Sequence, residues 1–422
     1  MKADFKRKVL KRPHSKAEVQ PSQNFQKKVL PNGMTILFEK RNLPVVSVAF
    51  AVRAGGINES MEEKGISHFI EHMFYKGTPT RNSRQITGEI EKNGGELNGF
   101  TDEVITVYWC KMPSKHLNIA LAVLGDIIKN PLFDEKELEK EMKVILEEIK
   151  MRKDVPRVYV SDKIKDFLYD EPFGPMLIGT PETLNSMDRE TLVEKFKQFY
   201  QPNNLILCVV GDADFDEIVD FAEKNFEDKK GKVPEFEIKL KNEERIEERK
   251  GIDQANLVFA YHVPFRDDKK SYAAKILSTL MAGGMSSRLF SEIREKRNLA
   301  YAIKGGYEIT KDFGHNYIYV GTMKENVEKV KKLILEEFAK VARELGEKEL
   351  NEVKEQMIGN YHISMEDSQL QMMNLLYSEI NGDAKNFYEF EKNIRAVKLE
   401  DVKELAKKAK ERFSFFALVP GD

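Results

Sequence analysis

The sequence predicts an α+β fold of two homologous domains that arose by internal duplication, each a β-sheet packed with helices. Three observations support this prediction. The 422 residues exceed what a single hydrophobic core usually serves. Sequence features of the first half recur in the second half. Within each half, strand-like segments cluster between helical segments instead of alternating strictly with them, which is typical of α+β layers.

Two pairs of segments reveal the duplication. The tetrapeptide Glu-Lys-Glu-Leu occurs at 135–138 and again at 347–350, an offset of 212 (347 − 135). An apolar strand that closes on Gly-Asp ends at residue 212 and again at residue 422, an offset of 210 (422 − 212). We therefore predict an N-terminal arm at 1–25, a first domain at 26–225, a charged linker at 226–245 and a second domain at 246–422.

Local patterns predict the elements of the first repeat. Met34–Phe38 and Val45–Val52 are apolar runs on either side of a turn that contains Pro44, so we expect two strands. Gly65–Tyr75 has helical periodicity, and Phe133-Asp134 is typical of the start of a long helix that runs past Glu148.

Composition excludes several classes of function. The chain has 68 basic and 70 acidic residues, so it lacks the basic field expected of a nucleic-acid-binding protein. No apolar run is long enough to span a bilayer and no apolar signal core opens the sequence, so we expect a cytoplasmic protein that does not insert into membranes. Cys110 and Cys208 lie in strand-like runs and are predicted to be buried thiols.

The strongest chemical motif is His68-Phe69-Ile70-Glu71-His72. On a helix that turns about 100° per residue, His68 and His72 lie one above the other with Glu71 between them. Two imidazoles can hold a tetrahedral zinc ion, and a neighbouring carboxylate can accept a proton from its water. This H-x-x-E-H order therefore predicts a hydrolytic zinc site. The alternative is a chance pairing on a surface helix, which the low histidine count of seven disfavours.

The duplication provides an internal control for this motif. An offset of 212 places residues 68–72 on 280–284, where no residue can bind a metal. The histidine pair is thus not a requirement of the fold, which favours a functional role.

A third zinc ligand is expected on the helix 135–150. Its apolar stripe consists of Leu138, Met142, Ile145, Leu146 and Ile149. Glu147 is rotated about 200° around the helix axis from Ile145 and therefore points into solvent. Glu148 and Glu141 lie at the border of the apolar stripe. We therefore predict Glu148 as the ligand and Glu141 as a hydrogen-bond partner of a ligating histidine. The remaining histidines are interpreted as ordinary surface or hydrogen-bonding residues: His14, His116, His262, His315 and His362.

These residues resemble the inverted-zincin peptidases of the pitrilysin family, and most closely its short two-domain bacterial members, which are related to mitochondrial processing peptidase. The segments 68–72 and 144–148 match the two metal segments of the family, with 75 residues between His72 and Glu148 (148 − 72 − 1). The resemblance extends over nearly the whole chain from about Gln26.

Two further segments share the resemblance. Residues 94–101 are similar to an edge strand that pairs with substrate, which implies substrate binding by Leu97, Asn98, Gly99 and Phe100, although alanine is more usual at position 99. Residues 283–290, followed by Arg294 and Tyr301, are similar to a signature that completes the active site from the opposite side of a chamber. Without the resemblance, these segments would be interpreted as a turn and a strand, and as a helix-end arginine and a strand tyrosine.

The resemblance implies a zinc-dependent endopeptidase with one zinc ion per chain. A zinc-bound water would attack the peptide bond with Glu71 as general base, while zinc and Tyr301 stabilise the oxyanion. The expected substrates are peptides or unfolded segments bound in an extended conformation. The alternatives are a non-catalytic scaffold or processing-complex subunit of the same family, and a peptide-binding chaperone that retains zinc, which would have no need of Glu71.

We also expect a homodimer with active sites shared between chains. The larger relatives resemble four such domains around a chamber, and two copies of this chain would rebuild that arrangement with twofold symmetry. The metal residues of one chain would then face Arg294 and Tyr301 of the other. The alternative is a monomer whose second domain covers its own metal site.

Overall fold

The computed structural model describes residues 24–421, so the predicted N-terminal arm at 1–25 lies almost entirely outside the described residues. The described chain forms two β-sheets, each packed with helices, and this confirms the predicted α+β class. Among the helices of residues 24–421, none is both long enough and apolar enough to cross a bilayer.

The first sheet has the strand order β1-β2-β6-β3-β5-β4. Its strands are β1 Phe25–Val29, β2 Thr35–Lys40, β3 Val45–Val52, β4 Glu96–Thr101, β5 Thr106–Pro113 and β6 Leu205–Gly211. Strand β4 forms one edge of this sheet, and among residues 24–421 it pairs only with β5. The two strands predicted around Pro44 correspond to β2 and β3.

The second sheet has the order β7-β11-β8-β10-β9. Its strands are β7 Glu244–Arg249, β8 Ala255–His262, β9 Ala300–Ile309, β10 Gly314–Thr322 and β11 Ser414–Pro420. This order repeats β2-β6-β3-β5-β4, and the pairs β2/β6 and β7/β11 are the parallel pairs of their sheets. The shared topology is what an internal duplication predicts.

Fourteen α-helices of the described chain cover the two sheets. They are α1 Ile66–Phe74, α2 Ser83–Glu91, α3 Leu117–Lys129, α4 Glu135–Asp154, α5 Pro156–Leu168, α6 Pro181–Ser186, α7 Arg189–Phe199, α8 Phe215–Asn225, α9 Lys270–Ala282, α10 Val327–Glu344, α11 Glu347–Ser364, α12 Ser368–Ile380, α13 Phe390–Ala396 and α14 Leu399–Glu411. The predicted helix at 65–75 is α1. The predicted long helix is α4, which begins after Asp134 because that carboxylate accepts hydrogen bonds from the N–H groups of Lys136 and Glu137.

Helices α5 and α12 join the two repeats. Helix α5 belongs to the first repeat but packs on β8 and β11 of the second sheet, whereas α12 belongs to the second repeat and packs on β6 and β3 of the first sheet. The side chains between the sheets form one continuous apolar cluster that includes Ile164, Leu375 and Phe416. Each repeat thus supplies a helix that covers the other repeat's sheet.

The structure corrects the register predicted between the repeats at the histidine helix. The core-facing residues of α1 (Ile66, Phe69, Ile70, Met73 and Phe74) have the same spacing as those of α9 (Ala273, Ile276, Leu277, Leu280 and Met281). The offset is 207 (273 − 66), so residues 68–72 correspond to 275–279 and not to 280–284. The offset of 212 fails here because the connections between elements differ in length. The conclusion that the second repeat lacks histidine ligands is unchanged.

The structure also bears on the predicted linker and on the two cysteines. Strand β7 begins at Glu244, so the last two residues of the predicted linker belong to the second sheet. Cys110 and Cys208 are free and buried, as expected from their positions in apolar strands.

Candidate metal centre

Helix α1 presents the H-x-x-E-H motif beside β4. Its apolar face is fully buried against the first sheet, which fixes the rotation of the helix about its axis. His68 and His72 are therefore directed away from that core and remain partly exposed. Their rings lie edge to face with centroids 4.7 Å apart. The sequence spacing thus becomes a pair of neighbouring imidazoles.

Helix α4 brings Glu148 to the same point. Its Oε2 lies 3.7 Å from Nε2 of His68 and 3.7 Å from Nε2 of His72. The side chain of Glu147 is 71% exposed, whereas that of Glu148 is 32% exposed, so helix geometry selects Glu148 as expected. Donor atoms of the three residues lie within 4.8 Å of one another. The structure therefore brings the three predicted ligands together.

The donor set fits a zinc ion. Zinc binds imidazole nitrogen and carboxylate oxygen at about 2.0–2.2 Å, so donors in a tetrahedral site are separated by roughly 3.4 Å. The observed separations of 3.7 Å are close to this value, and they are longer than a direct hydrogen bond. Two imidazoles and one carboxylate leave one tetrahedral position for a reactant, which is the pattern of catalytic zinc sites.

Glu141 orients one of the two histidines. Its Oε2 lies 3.0 Å from Nδ1 of His72, and its Oε1 lies 2.5 Å from Nζ of Lys76. A hydrogen bond at Nδ1 fixes the ring and leaves Nε2 available for a metal. Burial lowers the pKa of His68 to about 3, with a further contribution from His72, so the His68 ring is suited to binding a cation as a neutral ligand.

Glu71 lies between the histidines and β4. Its Oε2 accepts a hydrogen bond of 2.7 Å from the hydroxyl of Thr101, the last residue of β4. Burial raises the pKa of Glu71 above its usual value, and the Thr101 hydrogen bond opposes that rise. A partly desolvated carboxylate with a raised pKa is a suitable proton acceptor near neutral pH.

Strand β4 provides an accessible sheet edge next to Glu71. Residues 97–100 are at most half-buried, and within the described residues only β5 pairs with this strand. The other edge of β4 can therefore form main-chain hydrogen bonds with an extended peptide.

The opposite wall of the cavity has charged residues that the sequence analysis missed. The cavity has a volume of about 520 Å³, and the second repeat contributes Glu308, His315 and Tyr317 to its lining. Lys165 connects the two repeats by ion pairs to Glu103 at 2.8 Å and to Glu308 at 3.2 Å.

His315 was predicted to be an ordinary surface or hydrogen-bonding histidine, and the structure shows the hydrogen-bonding alternative. It is fully buried, its Nδ1 lies 2.9 Å from the hydroxyl of Tyr169, and burial lowers its pKa to about 4. No ligand spacing surrounds it in the sequence, because its partners come from distant segments. In the β9/β10 register His315 lies opposite Glu308, so a correct prediction of that register would have placed the two residues together.

Arg294 and Tyr301 do not line this cavity. Tyr301 lies at the start of β9 and is 57% exposed, whereas Glu308, near the end of the same strand, faces the cavity. Seven strand residues span roughly 23 Å, so Tyr301 lies well away from the point where Glu308 meets the cavity. The guanidinium of Arg294 lies over the ring of Phe290, 4.9 Å from its centroid, in the short π-helical turn Phe290–Glu295.

Two family models match the chain. Residues 35–180 match the family model "Insulinase (Peptidase family M16)", and residues 186–357 match "Peptidase M16 inactive domain". A Bacillus subtilis protein described as "Uncharacterized zinc protease YmxG" is 34% identical over 383 residues, which cover 89% of this chain and 93% of that protein. An "Uncharacterized zinc protease" of Rickettsia felis is 35% identical over 351 residues, which cover 82% of this chain and 84% of that protein.

Solved structures share the fold. A protease from Helicobacter pylori superimposes with a TM-score of 0.87 at 22% identity, covering 94% of this chain and 99% of that one. A structure from Pseudomonas fluorescens described as a peptidase M16 inactive domain superimposes with a TM-score of 0.85 at 20% identity, covering 94% and 98% of the two chains.

The first prediction concerns Gly99. A Cβ at this position would lie 2.4 Å from the hydroxyl oxygen of Tyr75 and 3.0 Å from the carbonyl oxygen of Val107. We expect Gly99→Ala to lower the free energy of unfolding by about 1–3 kcal/mol through overpacking. In a Tyr75→Phe background the loss should be smaller, because the closest atom is gone and the Tyr75 hydroxyl is buried without a hydrogen-bond partner. Urea unfolding of the two single variants and the double variant measures this coupling, and purely additive losses would contradict it.

Proposed function

Because the chain belongs to the insulinase family of peptidases, family M16, we propose that it is a zinc-dependent endopeptidase that hydrolyses peptides or unfolded segments bound in an extended conformation. The observation that supports this most directly is the convergence of His68, His72 and Glu148 on one point. Glu71 lies beside that point, next to the open edge of β4. A binding protein would need the sheet edge but not a buried carboxylate beside three metal ligands.

We infer one zinc ion per chain, held by His68, His72 and Glu148. When bound there, zinc supplies Lewis acidity toward oxygen, which is the chemistry that peptide hydrolysis requires. The residues of the chain have separate tasks: Glu141 fixes the His72 ring, and two neutral imidazoles with one carboxylate would leave a net positive charge on a bound zinc ion.

Glu71 is the proposed general base and then the general acid. Its raised pKa suits it to remove a proton from the attacking water and to return that proton to the leaving amine. The hydrogen bond from Thr101 holds one carboxylate oxygen toward β4, so the carboxylate stays next to a peptide aligned on that strand. Residues Leu97, Asn98, Gly99 and Phe100 would bind the peptide backbone.

The non-catalytic alternative is less well supported. The "inactive domain" model matches residues 186–357, and every proposed metal ligand, together with Glu71, lies outside that range. A scaffold has no use for three metal ligands and a hydrogen bond that orients one of the histidines. The second repeat shows that the fold does not need these ligands, because it lacks them. Measuring hydrolysis of a peptide mixture with and without a chelator distinguishes the two functions.

Metal content gives the second prediction. We expect about one equivalent of zinc in the purified chain, and a sharp loss in Glu148→Ala because two imidazoles alone bind zinc weakly. Glu147→Ala is the matched control, since Glu147 is on the same helix but is directed into solvent. Metal analysis after dialysis measures both. Loss of zinc in Glu147→Ala with retention in Glu148→Ala would show that Glu147, and not Glu148, is the ligand.

The third prediction separates binding from chemistry. Glu71→Gln keeps the side-chain shape and an acceptor for Thr101 but removes the base. We expect zinc content to stay near one equivalent while kcat falls by about 10²–10⁴-fold. Turnover of a fluorogenic peptide together with metal analysis provides both readouts. Near-normal kcat in Glu71→Gln would rule out this residue as the base.

We further propose that the working unit is a homodimer with shared active sites. Tyr301 is exposed and does not line the metal cavity of its own chain, which supports a site that a second copy completes. In this arrangement Arg294 and Tyr301 of one chain would complete the site of the other, with the Tyr301 hydroxyl donating to the oxyanion.

Subunit mixing gives the fourth prediction. Glu71→Gln and Tyr301→Phe proteins should each be inactive, but a mixed dimer contains one site with both wild-type halves. After equal mixing and exchange, random association should restore about a quarter of wild-type activity. Mixing Glu71→Gln with Glu148→Ala is the control, because both defects lie in the same half-site and no functional site can form. A self-contained chain would leave both mixtures inactive.

A further inference from the structure

The second repeat contains a pocket at the place that corresponds to the metal centre. The α1/α9 register places Lys275 at the position of His68 and Thr279 at that of His72, both at an offset of 207 (275 − 68). The α4/α11 register of 212 places Asn360 at the position of Glu148 (360 − 148). All three substitutes line one cavity of about 550 Å³. A cation and two neutral polar groups therefore replace a complete set of metal ligands.

Lys275 is a buried amine that has no ion-pair partner in the described part of the chain. It is 7% exposed, and its Nζ lies over the rings of Tyr307, Tyr272 and Phe390 at 5.2, 5.5 and 5.9 Å from their centroids. Within residues 24–421, it takes part in no ion pair. Burial and the neighbouring Arg266 lower its pKa to about 7. The protein thus places an ionisable amine where desolvation and repulsion both oppose its charged form.

Arg266 adds a second positive charge to the same lining, and in the described part of the chain it also has no ion-pair partner. The two acidic residues at the rim already have partners. Asp102 accepts a 2.5 Å hydrogen bond from the hydroxyl of Tyr377, and Glu308 pairs with Lys165 at 3.2 Å. Tyr361 also lines the pocket, and its buried hydroxyl has no hydrogen-bond partner. The pocket therefore has an excess of unsatisfied donors and positive charge.

We propose that this pocket binds the C-terminal carboxylate of a peptide. A carboxylate would neutralise Lys275 and Arg266 and could accept a hydrogen bond from the amide of Asn360. The position suits a peptide, because Glu308 lines both this pocket and the metal cavity, and Asp102 and Val104 of the lining directly follow β4. A peptide that runs parallel to β4 and extends past Thr101 would direct its C-terminus toward the pocket. This assignment rests on the proposed peptidase function.

Two peptides with one sequence test the proposal. The sequence contains no Asp or Glu, and the peptides end in a free acid or in a carboxamide, so they differ only at the C-terminal carboxylate. We expect KM of the wild-type protein for the acid to be about tenfold lower than for the amide, the effect of one charge-assisted hydrogen bond. In Lys275→Met the ratio of the two KM values should fall toward one, with Arg266 as the remaining charge of the pocket. Lys269→Met, an exposed lysine just before α9, should keep the wild-type ratio.

The outcomes separate this proposal from the general function. Equal KM values in the wild-type protein, or a tenfold preference that persists in Lys275→Met, would overturn it. Thermal unfolding verifies that Lys275→Met is folded, and Lys275→Gln replaces it if it is not. If neither peptide is cleaved, the peptidase proposal fails. The same acid-to-amide comparison made by fluorescence anisotropy of labelled peptides then tests the pocket by itself.

Discussion

The packing of α5 on the second sheet is the constraint on which the metal centre depends. Helix α5 follows α4 after a single residue, so the surface that anchors α5 also determines where α4 ends. Arg152 near the end of α4 holds Asp162 of α5 through two hydrogen bonds of 2.9 and 2.8 Å. Glu148 lies one turn before Arg152. The third ligand of the first repeat is therefore positioned by the sheet of the second, and the reciprocal packing of α12 on the first sheet fixes the two repeats against each other.

The duplicated scaffold has been used for two different kinds of polar pocket. In both repeats an apolar helix face packs on the sheet with the same spacing, and this leaves the same three positions directed into a cavity. Histidine, histidine and glutamate occupy them in the first repeat, whereas lysine, threonine and asparagine occupy them in the second. Because the apolar face determines the fold, the polar positions are free to differ. The two pockets adjoin at Glu308, so they can act on one extended ligand.

Buried charge is concentrated around these cavities. Lys165, Glu103 and Glu308 form a network between the repeats in which each charge has a partner. Burying such groups costs several kcal/mol per ion unless they are paired, so a network of this kind is weak evidence for stability and better evidence for a defined electrostatic environment. Glu308 lines the cavity of Glu71 and also that of Lys275. Burial raises the pKa of Glu71 and lowers that of Lys275, so both shift toward neutral pH.

Much of the metal centre was determined by the sequence alone. The 3.6-residue period places His68 and His72 together on α1 and separates Glu148 from Glu147 on α4, because helix geometry is local and depends little on the rest of the chain. The duplication was also accessible from residue patterns, whereas the edge position of β4 was implied only by the family resemblance. Only the tertiary structure decided the register between the repeats, the burial of His315 and Lys275, and the distance of Tyr301 from the metal ligands. Each depends on which distant segments pack together. Connection lengths, sheet order and the crossing of α5 and α12 determine this packing, and none of them produces a periodic pattern in the sequence.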